Sequence, residues 1–223
     1  MSNLSDFALG AKPKLITRYT SSTGTYVPTV DMARCLVRIQ AAGGGGHSSS
    51  GNGGGGGAWI EIVMRVPIAG LTYVVGAGGA IGANGSPSSF GQFTADAGRG
   101  GQTASVVGTG GLLGVSSGSI DGTFRILSTG ANGTLSGVAG GAGGLSSANG
   151  MRCGNPFGQD PQYATTPISN LLPPNGVGNG SGGDSWSGKG GASGVAGAAN
   201  TGAGGGANAA GGSGNVEVWD YGA

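Results

Sequence analysis

Glycine returns at every third position over long stretches of this chain. Gly76, Gly79, Gly82 and Gly85 keep the spacing, as do Gly108, Gly111 and Gly114, and again Gly137, Gly140 and Gly143. The run Gly188, Gly191, Gly194 and Gly197 is followed, in a new phase, by Gly202, Gly205, Gly211 and Gly214, which keep step with one another across Asn208. A period of three is that of the left-handed polyproline-II-type helix, which has no internal hydrogen bonds. Its N–H and C=O groups must therefore find partners in neighbouring segments. Glycine at every third residue removes the Cβ where two such helices touch, so their backbones can come close enough to bond. The expectation is a bundle of short polyglycine-II-type helices held by backbone hydrogen bonds, with no side-chain core.

The alternative for so much glycine, 56 of 223 residues, is a disordered tract, because glycine loses the most backbone entropy on folding. Two features oppose it. Charged residues are only 9% and hydrophobic residues reach 37%, the reverse of the usual disordered balance. Glycine at this density also excludes long helices, at about 1 kcal/mol per helical position relative to alanine. The net charge of +1 offers no cation excess for binding nucleic-acid phosphates. No apolar run approaches the roughly 18 to 20 residues of a membrane-spanning helix. No secretory signal is visible, so synthesis in a cytoplasm is expected.

Strand-like segments bracket the glycine-rich part. Residues 34–40 put Cys35, Val37 and Ile39 on one face and Arg34 and Arg38 on the other, the alternation of a half-buried strand. Residues 59–66 alternate Ile60, Ile62, Met64 and Val66 with Glu61 and Arg65. Residues 71–75 and 216–221 complete a predicted base, with 89–94 and 123–127 as further candidates. The terminal strand is expected to pair with 34–40 and 59–66. The predicted fold is all-β with irregular structure and almost no α-helix, a small β-sheet base plus the polyglycine bundle. Residues 1–20 read as an arm or attachment segment and 21–223 as one domain. Within it the β base is 21–75 and 215–223, and the glycine-rich excursion is 76–214.

Chemistry-bearing motifs are few. Gly183 to Gly190 nearly spells a phosphate-binding loop, but Gly190 stands where a Ser or Thr must hold Mg²⁺, and no strand precedes it. Gly202 to Ala207 matches a dinucleotide fingerprint without its strand, helix or acidic partner. His47 is the one histidine, set between four glycines and three serines, with nothing in the sequence to orient an imidazole; it reads as exposed in a loop. Cys35 and Cys153 read as unpaired thiols, too few for a zinc site. No metal, cofactor or enzymatic activity is expected.

Contact chemistry is better represented. In 151–174 glycine thins out and the stretch holds 5 of the 9 prolines, with Arg152, Phe157 and Tyr163, as in long functional loops. Trp186 stands alone in Gly-Asp-Ser-Trp-Ser-Gly. Aromatics among small polar residues offer a flat apolar face at low entropic cost. Phe157, Tyr163, Trp186, His47 and Arg152 are the candidate receptor-binding residues. Trp186 equally suits a cap on the glycine bundle.

The segment Thr20 to Pro28 and the strand running into Gly43-Gly-Gly-Gly46 resemble the entry to glycine-rich domains at the ends of phage tail fibres. Leu71 to Gly79, Ser88 to Gly91, Gly98 to Gly101 and the closing Gly214 to Tyr221 continue the resemblance over 17–223. The chain is also similar to stand-alone tail-fibre tip adhesins of T-even-like phages. The resemblance implies layered polyglycine-II helices that present variable loops to a bacterial surface receptor, whether glycan, outer-membrane protein or pilus. It implies a place on the virion, at the phage tail tip. The arm 1–20 or a sheet edge would dock to a tail or tail-fibre protein, with a homotrimer matching a trimeric shaft. Two other classes fit the composition. A structural tail or baseplate protein would bury 151–174 in an assembly interface, and an ice-binding protein would need a flat Thr/Ala face, against which Arg152, Tyr163 and Leu171-Leu172 argue.

Overall fold

The computed structural model describes residues 15–29, 32–48, 52–64, 70–102, 108–111, 113–115, 122–128, 130, 133, 180, 182–183 and 185–222. Among them there is no helix, and ten strands form two antiparallel sheets. The first sheet runs in the order β1 (Leu15–Tyr19), β10 (Asn215–Gly222), β3 (Met32–Gln40), β4 (Trp59–Met64) and β9 (Gly122–Ser128). The second runs β2 (Thr23–Thr25), β5 (Thr72–Val74), β6 (Ser88–Phe90), β7 (Phe93–Ala95) and β8 (Leu113–Val115).

The alternation read from the sequence sets the core. Cys35, Val37 and Ile39 from β3, Ile60, Ile62 and Met64 from β4, and Val216 and Val218 from β10 form one cluster with Phe90, Phe93 and Ala95 of the second sheet. Tyr26 closes the cluster and donates its hydroxyl proton to the buried Asp220 carboxylate.

Four expectations are revised. The terminal strand pairs with β3 and β1, and not with β4, because β3 lies between β10 and β4 and bonds both. Residues 15–19, assigned to an arm, form that edge strand β1. The segment at 71–75 belongs to the second sheet. The candidate at 89–94 is a hairpin, β6 and β7, turning at Gly91 with φ 57°, a left-handed conformation that glycine adopts freely.

Above the sheets stands the bundle, and its hydrogen bonds repeat every three residues. At its centre is segment 41–47, the continuation of β3. The N–H groups of Ala41, Gly44 and His47 donate to Ala58, Gly55 and Asn52. Those of Ala42 and Gly45 donate to Ser86 and Ala83, and those of Gly43 and Gly46 to Gly212 and Ala209. Along each series the partner number falls by three, so these neighbours run antiparallel. The carbonyls serve three parallel neighbours: Ala42 and Gly45 accept from Gly98 and Gly101, Gly43 and Gly46 from Gly79 and Gly82, Gly44 and His47 from Gly205 and Asn208.

Six segments thus surround the centre. They also bond to one another in a closed ring, 52–58 to 96–101, then 83–86, 76–80, 209–214, 202–206 and back to 52–58. This is the lateral packing expected of polyglycine-II helices. All three sides of the central helix touch backbone, so four consecutive glycines, Gly43 to Gly46, occupy it, and a Cβ on any of them would overlap a neighbouring carbonyl. In the ring, segments 76–80 and 83–86 keep one side open, and there the chain carries Ala77, Ala80, Ala83 and Ser86, all exposed. Glycine density therefore follows the number of occupied sides. The run 137–143 lies outside the described residues.

Candidate functional site

The bundle has two distinct ends. At the sheet end, β3, β5, β7 and β9 lead into it, and β4, β6, β8 and β10 receive the chain back. At the far end the chain reverses. From Ala41 to His47 is six steps, about 19 Å at roughly 3.1 Å per residue.

Three reversals there share one geometry. Ala83 N–H donates to the Ala80 carbonyl, Val195 to Ala192, and Ala209 to Gly206. The third residue of each has positive φ: Gly82 73°, Gly194 77° and Asn208 58°, as a type II turn requires. His47 and Asn52 lie beside them. His47 N–H donates to Asn52, and its carbonyl accepts from Asn208 N–H. Its ring Cδ2 lies 3.8 Å from where a Cβ on Gly82 would stand.

His47 is thus half-buried and held on two sides, unlike the exposed loop residue expected from sequence. Around it the tip exposes Ser48, Gln102, Ser193 and Asn208. Two of the exposed large hydrophobics are also here, Ile81 at 49% and Val195 at 53%. These tip residues were not singled out in the sequence. The available signal was the repeat of Ala-x-Gly ahead of Ala83 and Val195, in which the glycine keeps the threefold period and the residue before it projects outward.

Trp186 lies at the opposite end. The loop 185–188 is closed by Ser185 N–H donating to the Gly188 carbonyl, and the Ser185 hydroxyl donates to the Thr201 carbonyl. Trp186 is half-buried and stacks on Trp59, the first residue of β4, with ring centroids 6.0 Å apart and planes at 20°. The structure therefore separates Trp186 from His47 by the length of the bundle. Arg152, Phe157 and Tyr163, with the whole stretch 151–174, lie outside the described residues, as does Cys153.

The face of the first sheet turned away from the core carries an ordered charge row. Register places Arg18, Glu217, Arg38 and Glu61 side by side on β1, β10, β3 and β4. Arg18 Nε is 3.1 Å from Glu217, Arg38 Nη1 is 3.8 Å from Glu217, and Arg38 Nε is 2.8 Å from Glu61. The Arg38 guanidinium also lies 4.5 Å over the Trp219 ring, a cation–π position. Glu61 is only 1% exposed, so the alternation of sign is what lets a carboxylate sit there.

Titration shifts gather around Asp220. Burial, then the hydrogen bond to Asp220, pushes the Tyr26 phenol far above its ordinary range. Burial, then the Asp220 charge, pushes the Cys35 thiol up to about 12. Burial, then the charges of Tyr73 and Asp220, raises Tyr19. These groups lie in or against the core and serve the fold. Among the described residues no three His, Cys, Asp or Glu side chains gather as a metal site. No described helix could cross a membrane.

A sheet sandwich carrying a closed glycine bundle, with reversals at one pole, defines a glycine-rich domain. Residues 20–218 match the family described as a glycine-rich domain, and the chain belongs to that family. No curated protein matches the chain.

Proposed function

We propose that this chain is a receptor-binding adhesin at the tip of a phage tail or tail fibre, and that the far pole of the bundle contacts a bacterial surface receptor. The observation that carries the reading is the polarity of the molecule. β1 opens at Leu15 opposite Asp220, near the end of β10, so the described chain enters and leaves at the pole away from the bundle tip. A carrier holding that pole leaves the tip free.

The rest of the architecture supports the same role. Backbone hydrogen bonds hold the bundle together, so tip side chains can vary without repacking a core. The tip of the described residues offers hydroxyls, amides, one imidazole and two aliphatic side chains, a set suited to surface contact and poor in catalytic pairs. The expected contact residues Phe157, Tyr163 and Arg152 extend the proposal to the loop 151–174.

Adsorption competition tests it. Purified chain should block attachment of the phage that carries it to a susceptible strain. Replacing Ile81 and Val195 with Asp should abolish the block while the unfolding profile stays that of the parent. Competition that survives both this change and alanine at Phe157 and Tyr163 would overturn the proposal.

A further inference from the structure

Where the first sheet meets the bundle, three neighbouring residues in one row each carry a buried polar atom without a hydrogen-bonding partner among the described residues. Register aligns Asn215 on β10, Gln40 on β3 and Trp59 on β4. Directly opposed residues share a face, with neighbouring Cβ atoms about 4.5 to 5.5 Å apart. The orphaned atoms are Asn215 Oδ1, Gln40 Oε1 and Trp59 Nε1. The residues are 2%, 0% and 6% exposed.

Both amides have their orientation set by their nitrogens. Gln40 Nε2 donates toward the carbonyls of Ala41, Gly57 and Ala58, each at 3.1 Å. Asn215 Nδ2 donates to the Asn200 carbonyl. Exchanging oxygen and nitrogen in either amide would set oxygen against oxygen, so the two oxygens remain acceptors. The row therefore presents two acceptors and one donor. The chemistry of the ligand follows from that set. A cation would meet the indole N–H, an anion would meet two carbonyl oxygens, and an apolar group would satisfy none of the three. Water can accept from Trp59 and donate to the amides, and buried polar clefts commonly hold it.

We propose that this seam is a buried water site, one or two molecules shared by Trp59 Nε1, Gln40 Oε1 and Asn215 Oδ1. The water fixes the indole of Trp59 and through it the stack that seats Trp186 and the loop 185–188. It also links the sheet to the bundle at the point where the central helix leaves β3.

The test is a water-to-indole NOE measurement on the full chain labelled with ¹⁵N-tryptophan, the Trp59 signal being assigned by loss in Trp59→Phe. A long-lived water contact at Trp59 Hε1 is the expected result. A high-resolution crystal structure should show ordered water bonded to the indole and to at least one of the two amide oxygens. No long-lived water contact at Trp59 Hε1, or a crystal structure in which protein groups alone satisfy the three atoms, would overturn the proposal. Receptor binding is a separate matter, since neither outcome bears on the tip.

Discussion

Gly44→Ala is the sharpest probe of how the bundle is held. A Cβ at Gly44 would stand 2.2 Å from the Arg99 carbonyl oxygen, 2.3 Å from its carbon and 2.7 Å from Gly100 N. All three are backbone atoms, so no side chain can swing aside. Ordinary carbon–oxygen contact begins near about 3.3 Å, so segments 41–47 and 96–101 must part by about 1 Å. They are tied by Gly98 to Ala42 and by Gly101 to Gly45, each at 2.9 Å. Loss of these two bonds leaves buried backbone groups unsatisfied at about 1 to 3 kcal/mol each. Alanine returns about 0.4 to 1 kcal/mol by restricting the unfolded chain. The net expectation is a destabilisation of about 3 kcal/mol, or roughly 6 to 12 °C in melting temperature for a domain of this size. Gly194→Ala is the comparison, because nothing lies within 4 Å of its Cβ position and its φ is 77°. It should cost only the left-handed penalty, about 1 to 2 kcal/mol. Urea unfolding followed by tryptophan fluorescence reads both. If Gly44→Ala falls within about 1 kcal/mol of the parent, or costs no more than Gly194→Ala, close backbone approach is not why glycine stands there.

Further outcomes follow from the core and the charge row. In a Cys153→Ser background, Cys35 should resist iodoacetamide at about pH 8 until denaturant is added, because the thiol is 3% exposed and pushed up to about 12; prompt labelling would contradict its burial. Folded-state values raised above the unfolded ones mean stability fully present below the unfolded values and lost as pH rises. Melting temperature should therefore begin to fall above about pH 9 as Cys35 (ordinary value 9.0) and then Tyr26 and Tyr19 (ordinary value 10.0) favour the unfolded chain, and Tyr26→Phe should flatten part of that slope. Arg38→Met removes the 2.8 Å ion pair of the buried Glu61 and should cost about 3 to 5 kcal/mol in urea unfolding, whereas Arg38→Met with Glu61→Gln should recover a substantial part; equal losses in the single and double variants would refute the pairing.

Much of the fold was legible locally. The alternation in 34–40 and 59–66 named the inward residues Val37, Ile39, Ile60 and Ile62 correctly, because strand side chains alternate whatever the partner. The threefold glycine spacing foretold lateral bonding, because it is a property of one helix and its contact side. Glu61 was legible only as outward-facing. Its burial beside Arg38 depends on the register between two strands and on Glu217 from the far end of the chain. The tip was less legible still, since Ile81 and Val195 are unremarkable in sequence; at the other end, Trp186 looks the same whether it caps a sheet or meets a receptor.

Local sequence thus determined which residues extend, which faces turn inward and where backbones could touch. Which helix neighbours which was decided only in three dimensions. Glycine edges are chemically alike, so a segment such as 41–47 carries no side-chain signal that selects 52–58, 83–86 or 209–214 as its partner. Sheet register and the turns at Gly82, Gly194 and Asn208 make that selection, and with it they set one pole of the molecule apart from the other.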